Sequence, residues 1–441
     1  MTKSDTNLKR TLRKYTKVVL KFLNEIRGYF DVKEVVSFYM PMIRENQEEK
    51  ESTVELYQIP EAKAFKKEMK AHPIVKKHLD VHVGTEKGSA LLGVWSIFQA
   101  FLLHLIRIQR SLIYDGKSFD KSFKDMMKFF RSTTLSVQFI AMLENIDKFS
   151  DDDFLFKNGW CLKRLSKMLQ DDMTRVVGDD FLHPKKKSVT RHSLVKEFKL
   201  KKMIWKLGVK SSYEISEQVN EEIDILLSAF RIAKSGRIIC RYIDHQILGW
   251  HPLGDHFNIS DVGDSIEPGT RYSFSKDDTN RINEILDLLS YCKTDKTLLI
   301  PLRRLKFATE RKHAIPEDRI LDALIAFDSL FGAYNELSYR LSLRIAMFLG
   351  ESSEDRLKLK NDFVSAYNLR SRIIHGNKPG HVRKVLKKWG LNPQQAADYL
   401  EDILRKTVVK YMKLLKRGKT HDNIIQTLED MILNDASISL L

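Results

Sequence analysis

The segment from Leu359 to Gly376 constrains the fold most, because it sets an arginine inside an apolar helical stripe. Leu359, Phe363, Ala366, Tyr367, Ile373 and Ile374 recur at helical spacing. At about 100° per residue, Arg370 falls near the centre of that stripe, roughly 20° from Phe363 and 40° from Ile374. A guanidinium there must meet an anion or a polar cleft, since an unpaired buried charge is costly. Four residues later comes His375, then Gly376, a good left-handed helix stop that lets the chain swing the imidazole back. Arginine supplies a permanent planar cation suited to phosphate, and histidine is the side chain whose proton moves near neutral pH. By themselves the two residues fit equally a dipole-favoured terminal histidine beside a core salt bridge.

The surrounding order adds to this. It runs Ile315-Pro316 through Asp328 and Leu330, Glu336-Leu-Ser-Tyr-Arg340, Arg344-Ile-Ala-Met-Phe-Leu-Gly350, and Ala366-Tyr-Asn-Leu-Arg370-Ser371-Arg-Ile-Ile-His375-Gly376. This order resembles the ApeA-like branch of the HEPN family (higher eukaryotes and prokaryotes nucleotide-binding domains), over roughly residues 275–417. The segment Leu226 to Gly236 also resembles the stretch preceding the helical domain in that branch. The family motif is an Arg, four to six residues, then a His, with a polar residue after the Arg; Ser371 meets that condition. Where the family usually carries Glu in its second helix, this chain has Asp328.

The resemblance implies an all-helical, usually dimeric domain that is often a metal-independent RNase. Arg370 and His375 are then the catalytic residues, with Ser371, Asp328 and Asn377 in support. It also implies a part in bacterial defence against phage, in which RNA is destroyed and growth stops. A phage-derived trigger or regulatory partner is then expected, with the N-terminal half as its sensor. The alternative is a non-catalytic module of the same type that holds RNA, nucleotide or a partner protein.

Composition bounds the partners. The chain has 441 residues and a net charge of +17, a balance that favours polyanions or acidic membranes. Residues 185–210 hold ten Lys or Arg against one acidic residue, and residues 381–420 hold eleven against three. The second block follows the Arg–His pair directly, so Lys378, Arg383, Lys384, Lys387 and Lys388 are the candidate RNA-binding residues. Trp205 and Trp389 lie in these blocks, as core packing or as base-stacking rings.

Cys161, Cys240 and Cys292 lie far apart, as expected of reduced residues in a cytoplasmic protein. No signal peptide is seen, and no cofactor or metal is expected. His78-Leu-Asp-Val-His82 has the spacing of two imidazoles on one helical face but lacks the Glu of a zinc-protease motif. His245, His251 and His256, with Asp244 and Asp255, read as polar loop residues. Asp151-Asp152-Asp153 and Asp171-Asp172 read as helix caps.

The expected fold is mainly α in three regions. Residues 1–135 form a helical N-terminal region, with helices over Leu8–Tyr29, Asp31–Asn46, Glu61–Ala71, Ser89–Ile113 and Ser122–Phe130. Residues 136–275 form a mixed α/β middle domain, with strands at Ser136–Ala141, Arg237–Ile243 and Tyr272–Phe274 and a long loop from Gly249 to Gly269. Residues 276–441 form the HEPN-like helical domain. The apolar run from Ser89 to Ile106 is interrupted by Gly93, Ser96, Gln99 and His104, so it reads as a buried helix and not a membrane span.

Overall fold

A computed structural model describes residues 2–26, 56–85, 88–146, 152–164, 192–205, 214–252, 260–261, 271–310, 315–332, 337–375 and 379–434. The expected helix at 31–46, the pair Asp171-Asp172 and most of the 249–269 loop lie outside these residues. The architecture is mainly helical, with antiparallel strands in two sheets.

The chain groups into two compact units that are interleaved in sequence. One comprises residues 1–139, 197–219 and 245–258, and the other 140–196, 220–244 and 259–441. Among its described residues the first holds four helices: α1 (Lys3–Ile26), α2 (Pro60–Ala71), α3 (Val94–Gln109) and α4 (Gly116–Arg131). It also holds a small sheet of β1 (His82–Thr85), β2 (Gly88–Leu91) and β7 (Met203–Trp205), in the order β2-β1-β7. Its core is one cluster, in which Tyr15 stacks on Phe65 at 5.9 Å and tilts against Phe98 at 4.2 Å.

One expected helix is corrected here. The segment 89–113 is not a single helix: Ser89–Leu91 belong to β2, and α3 begins only after Gly93. Ser96 Oγ accepts from the Gly93 N–H and donates to the Gly93 carbonyl, which fixes that start. Arg110, left-handed at φ 51°, ends it. Among the described residues no helix is long and apolar enough to cross a membrane.

A six-stranded sheet takes the order β4-β5-β6-β3-β8-β9. Its members are β3 (Thr134–Glu144), β4 (Phe154–Leu155), β5 (Cys161–Arg164), β6 (His192–Lys201), β8 (Ile239–Ile247) and β9 (Ser260–Asp261). The expected strands in β3 and β8 are present. Tyr272–Phe274 is not a strand, since only an isolated bridge from Ile146 to Tyr272 forms there. Asp152 and Asp153 precede β4 and so cap no helix. Asp244 and His245 lie within β8, not in a loop; Asp244 is buried and His245 stacks on Phe139.

Among the described residues nine further helices follow, all in the second unit except the start of the first of them. They are α5 (Glu214–Ala233), α6 (Lys276–Tyr291), α7 (Leu299–Glu310), α8 (Pro316–Phe331), α9 (Leu337–Leu349), α10 (Ser353–Ile374), α11 (Pro379–Trp389), α12 (Pro393–Lys416) and α13 (His421–Asn434). Asn392 caps α12 through its side chain, and Ala397, Leu400, Leu404, Val408, Tyr411 and Leu415 are buried along it, as their spacing requires. Gly418, at φ +83°, follows the helix end. Buried Arg344 donates to the Phe331 and Gly332 carbonyls, which satisfies the end of α8.

Candidate functional site

Helices α8 and α10 place the arginine. Phe327 of α8 meets Phe363 of α10 edge to face at 4.8 Å. One and two turns further along α10 come Tyr367 and Arg370, which meet Asp328 of α8. The Arg370 Nη2 lies 3.2 Å from Asp328 Oδ2. The Tyr367 hydroxyl donates to Asp328 Oδ1. The guanidinium also lies 5.2 Å over the Tyr367 ring, in cation–π range. The anion that Arg370 needs is therefore Asp328 of the same chain. A quarter of the Arg370 side chain is exposed, whereas its Nε is buried and makes no hydrogen bond.

Burial pushes the Asp328 carboxyl up to about 6, against the opposing pull of Arg370. Gly332 stands next to it, where an added Cβ would lie 2.4 Å from the Asp328 carbonyl oxygen. Any side chain there would disturb the turn that follows the carboxylate.

Phe363, Ala366, Tyr367 and Leu369 are the buried residues of α10. The stripe expected to run on through Ile374 stops short of it, since Ile374 is 56% exposed. His375 is exposed and is itself the C-cap of α10, with its N–H bonded to the Ser371 and Ile373 carbonyls. Ser371 is exposed, and no hydrogen bond joins it to Arg370. Gly376, Asn377 and Lys378 lie outside the described residues.

The basic helix α11 is fixed to α10 by one carboxylate. Asp362 accepts from Trp389 Nε1 at 2.9 Å and from the Tyr399 hydroxyl at 2.6 Å. Trp389 is thus a packing residue and not a free stacking ring. Leu386 is buried, whereas Arg383, Lys384, Lys387 and Lys388 are all exposed on the outer side of α11. The Trp205 side chain lies outside the described residues.

The expected two-histidine helical face does not form. His78 ends a short 3-10 turn at Val75–His78, His82 begins β1, and Asp80 between them is left-handed at φ 57°. Among the described residues no three His, Cys, Asp or Glu side chains gather where they could hold a metal ion. Cys161, Cys240 and Cys292 form no disulfide among the described residues. A cavity of about 270 Å³ lies between Ile225, Leu289, Cys292, Leu298 and Leu302, and neither Arg370 nor His375 lines it.

Sequence reasoning missed Tyr367 as a site residue. Its signal was present, since it stands three residues before Arg370 on the same stripe. Compared with known proteins, the chain matches no family model, no curated protein and no solved structure.

Proposed function

We propose that the second unit is a HEPN-type endoribonuclease that cuts RNA without a metal ion. The observation that carries this reading is Arg370, pinned by Asp328 and Tyr367 one turn before an exposed His375. His375 takes the proton of a ribose 2′-hydroxyl as that oxygen attacks the adjacent phosphorus. The bond to the 5′-oxygen breaks as that oxygen takes a proton from water, leaving a 2′,3′-cyclic phosphate. Arg370 stabilises charge on the equatorial phosphate oxygens. Ser371 and Asn377 border the phosphate, and Asp328 sets the angle of the guanidinium.

The active species is a homodimer in which two copies bring their Arg–His pairs together across a two-fold axis. Exposed Ile374, next to His375, is an apolar side chain that a second copy would cover. RNA reaches the site along α11, where Arg383, Lys384, Lys387 and Lys388 meet phosphates, and Lys378, which precedes α11 in sequence, joins them. The setting is anti-phage defence in the cytoplasm: RNA cleavage arrests growth once a phage-derived trigger or regulatory partner acts through the N-terminal unit. These biological roles rest on family analogy alone.

One feature favours a second reading. Arg370 already has an anion in Asp328, as expected of a module that binds RNA or a partner without cutting it. Analysis of product ends separates the two. Cleavage gives 2′,3′-cyclic phosphate or its hydrolysed form, whereas intact RNA retained by the protein supports the binding module. Charge reversal of Lys384, Lys387 and Lys388 to Glu should flatten the salt dependence of RNA binding, by about 0.7 in slope per phosphate contact on a single strand. Wild-type binding by that triple variant at every salt concentration would remove α11 from the RNA path.

A further inference from the structure

The outer faces of α1 and α4 have no part in the chemistry described so far. α1 turns Leu8, Leu12, Tyr15, Val19 and Leu23 into the core. On its opposite side Lys3, Arg10, Lys14, Lys17 and Lys21 are all exposed. At 100° and 1.5 Å per residue, these five fall within an arc of about 60° and span about 27 Å. α4 repeats the pattern. Phe119, Phe123, Met126 and Phe130 are buried, whereas Lys117, Lys121, Lys124 and Lys128 are exposed in a second row of about 16 Å.

Side chains tie the two helices together as antiparallel neighbours. Asp5 meets Arg131 at 2.6 Å, and Asp120 meets Lys9 at 3.0 Å and Arg13 at 2.7 Å. The Lys17 ammonium sits 4.7 Å over the ring of Tyr114, just before α4 begins. Both helices bury their apolar sides in one core cluster, so both rows point away from it.

The carboxylates of these helices do not neutralise the rows. Asp5 is buried, Asp120 is taken by Lys9 and Arg13, and Asp125 faces His104 at 3.2 Å. Only Glu25, 3.9 Å from Lys21, touches a row at its end. Together α1 and α4 hold twelve Lys or Arg and four Asp or Glu. Like charges three and four residues apart destabilise a helix, so each row is held against its own repulsion. A polyanion lying along the rows removes that repulsion.

We infer that α1 and α4 form a sequence-independent docking face for the phosphate backbone of a double-stranded nucleic acid. A lipid surface fits poorly: an interfacial helix needs a free apolar face, and that of α1 is spent in the core. A single strand also fits poorly, because such sites stack bases on aromatic rings and neither row contains one. Straight rows of cations on rigid helices suit a duplex, which carries about one charge per 1.7 Å of axis. The inference stands independently of the Arg370 site. It gives the N-terminal unit a ligand of its own, a duplex backbone, as either DNA or RNA.

The test uses full-length His375→Ala protein, so that any RNA stays intact, and labelled duplexes of about 20 base pairs in two unrelated sequences, as DNA and as RNA. Fluorescence anisotropy across a salt series gives the slope of affinity against salt. One variant replaces Arg10, Lys14, Lys17 and Lys21 with Gln, and a second replaces Lys117, Lys121 and Lys124 with Gln. Circular dichroism melts check that both fold. Each variant should weaken duplex binding more than tenfold and flatten the slope by about 0.9 per lost phosphate contact, equally for both sequences. A DNA-only or RNA-only response names the duplex source. If both variants bind either duplex with the parent slope, the inference is overturned. It is overturned equally if the parent binds phosphatidylserine vesicles but neither duplex.

Discussion

Asp5 and Asp328 are carboxylates that each face an arginine, and their acidities move in opposite directions. Burial pushes both up. At Asp5 the backbone N–H of Thr2, His72, Arg131 and the Thr2 hydroxyl together outweigh it and hold the carboxyl at about 2. His72 Nδ1 faces the N–H groups of Ile74 and Val75 at 3.3 and 3.4 Å, so Nε2 carries the proton it gives to Asp5 at 3.1 Å. This carboxylate is saturated with donors, as in a clamp. Asp328 has Tyr367 and one guanidinium nitrogen, and it rises to about 6. Arginine beside aspartate is therefore not one kind of site. The number of other donors decides whether the pair locks a fold or leaves a cation available to a ligand.

Replacing each arginine with lysine tests this contrast at its largest. Arg370→Lys should lower RNA cleavage about 100-fold or more while barely moving the melting temperature, because lysine lacks the planar fork. Arg131→Lys should leave cleavage at the wild-type rate. Equal initial rates for the two variants would remove the distinction.

Loss of each carboxylate should then reverse the ranking. Asp5→Ala should cost about 3 kcal/mol in urea unfolding, since it strips a buried imidazole and an arginine of their partner. Asp328→Ala should cost about 1 kcal/mol or less, because ionising that carboxyl is already unfavourable in the folded chain. Comparable losses would mean that both are clamps.

The pH dependence has opposite signs at the two positions. Asp5 sits below its ordinary 3.8, so its contribution is present above that pH and is lost as pH falls toward about 2. Asp328 sits above 3.8, so the folded state holds the extra proton, and stability falls as pH rises from about 4 to about 6. Asp328→Asn should remove the second trend alone, as read from urea midpoints across that range. A parallel shift of the whole curve would contradict the assignment.

The smallest effect belongs to Tyr367→Phe. It removes one hydrogen bond, about 0.5 kcal/mol, and should move the Asp328 titration still higher in carboxyl-carbon NMR. An unchanged titration would mean that Tyr367 only fills space.

Much of the second unit was legible in the sequence. Asn392 with Pro393, and Pro316 at a helix start, announced their helices through capping chemistry, and the face of α12 followed from period alone. Arg370 within an apolar stripe required an anion, but the pattern on one helix does not say which neighbouring helix supplies it. Asp328 was recognisable only through the resemblance to a family in which that position is usually glutamate. The end of β2 was not legible, because Ser89–Leu91 and the helix that follows belong to one mostly apolar run, and Gly93 within it reads equally as an interruption inside a helix. The interleaving of the two units was also hidden, since it depends on contacts between segments far apart in sequence.

Incubation of the purified protein with total RNA in EDTA, beside His375→Ala, tests the central claim most directly. The account predicts cleavage by the wild-type protein in chelator, products ending in 2′,3′-cyclic phosphate, and loss of at least about 100-fold in rate for His375→Ala. Equal cutting by the two proteins, or cutting that appears only when magnesium is restored, would contradict it.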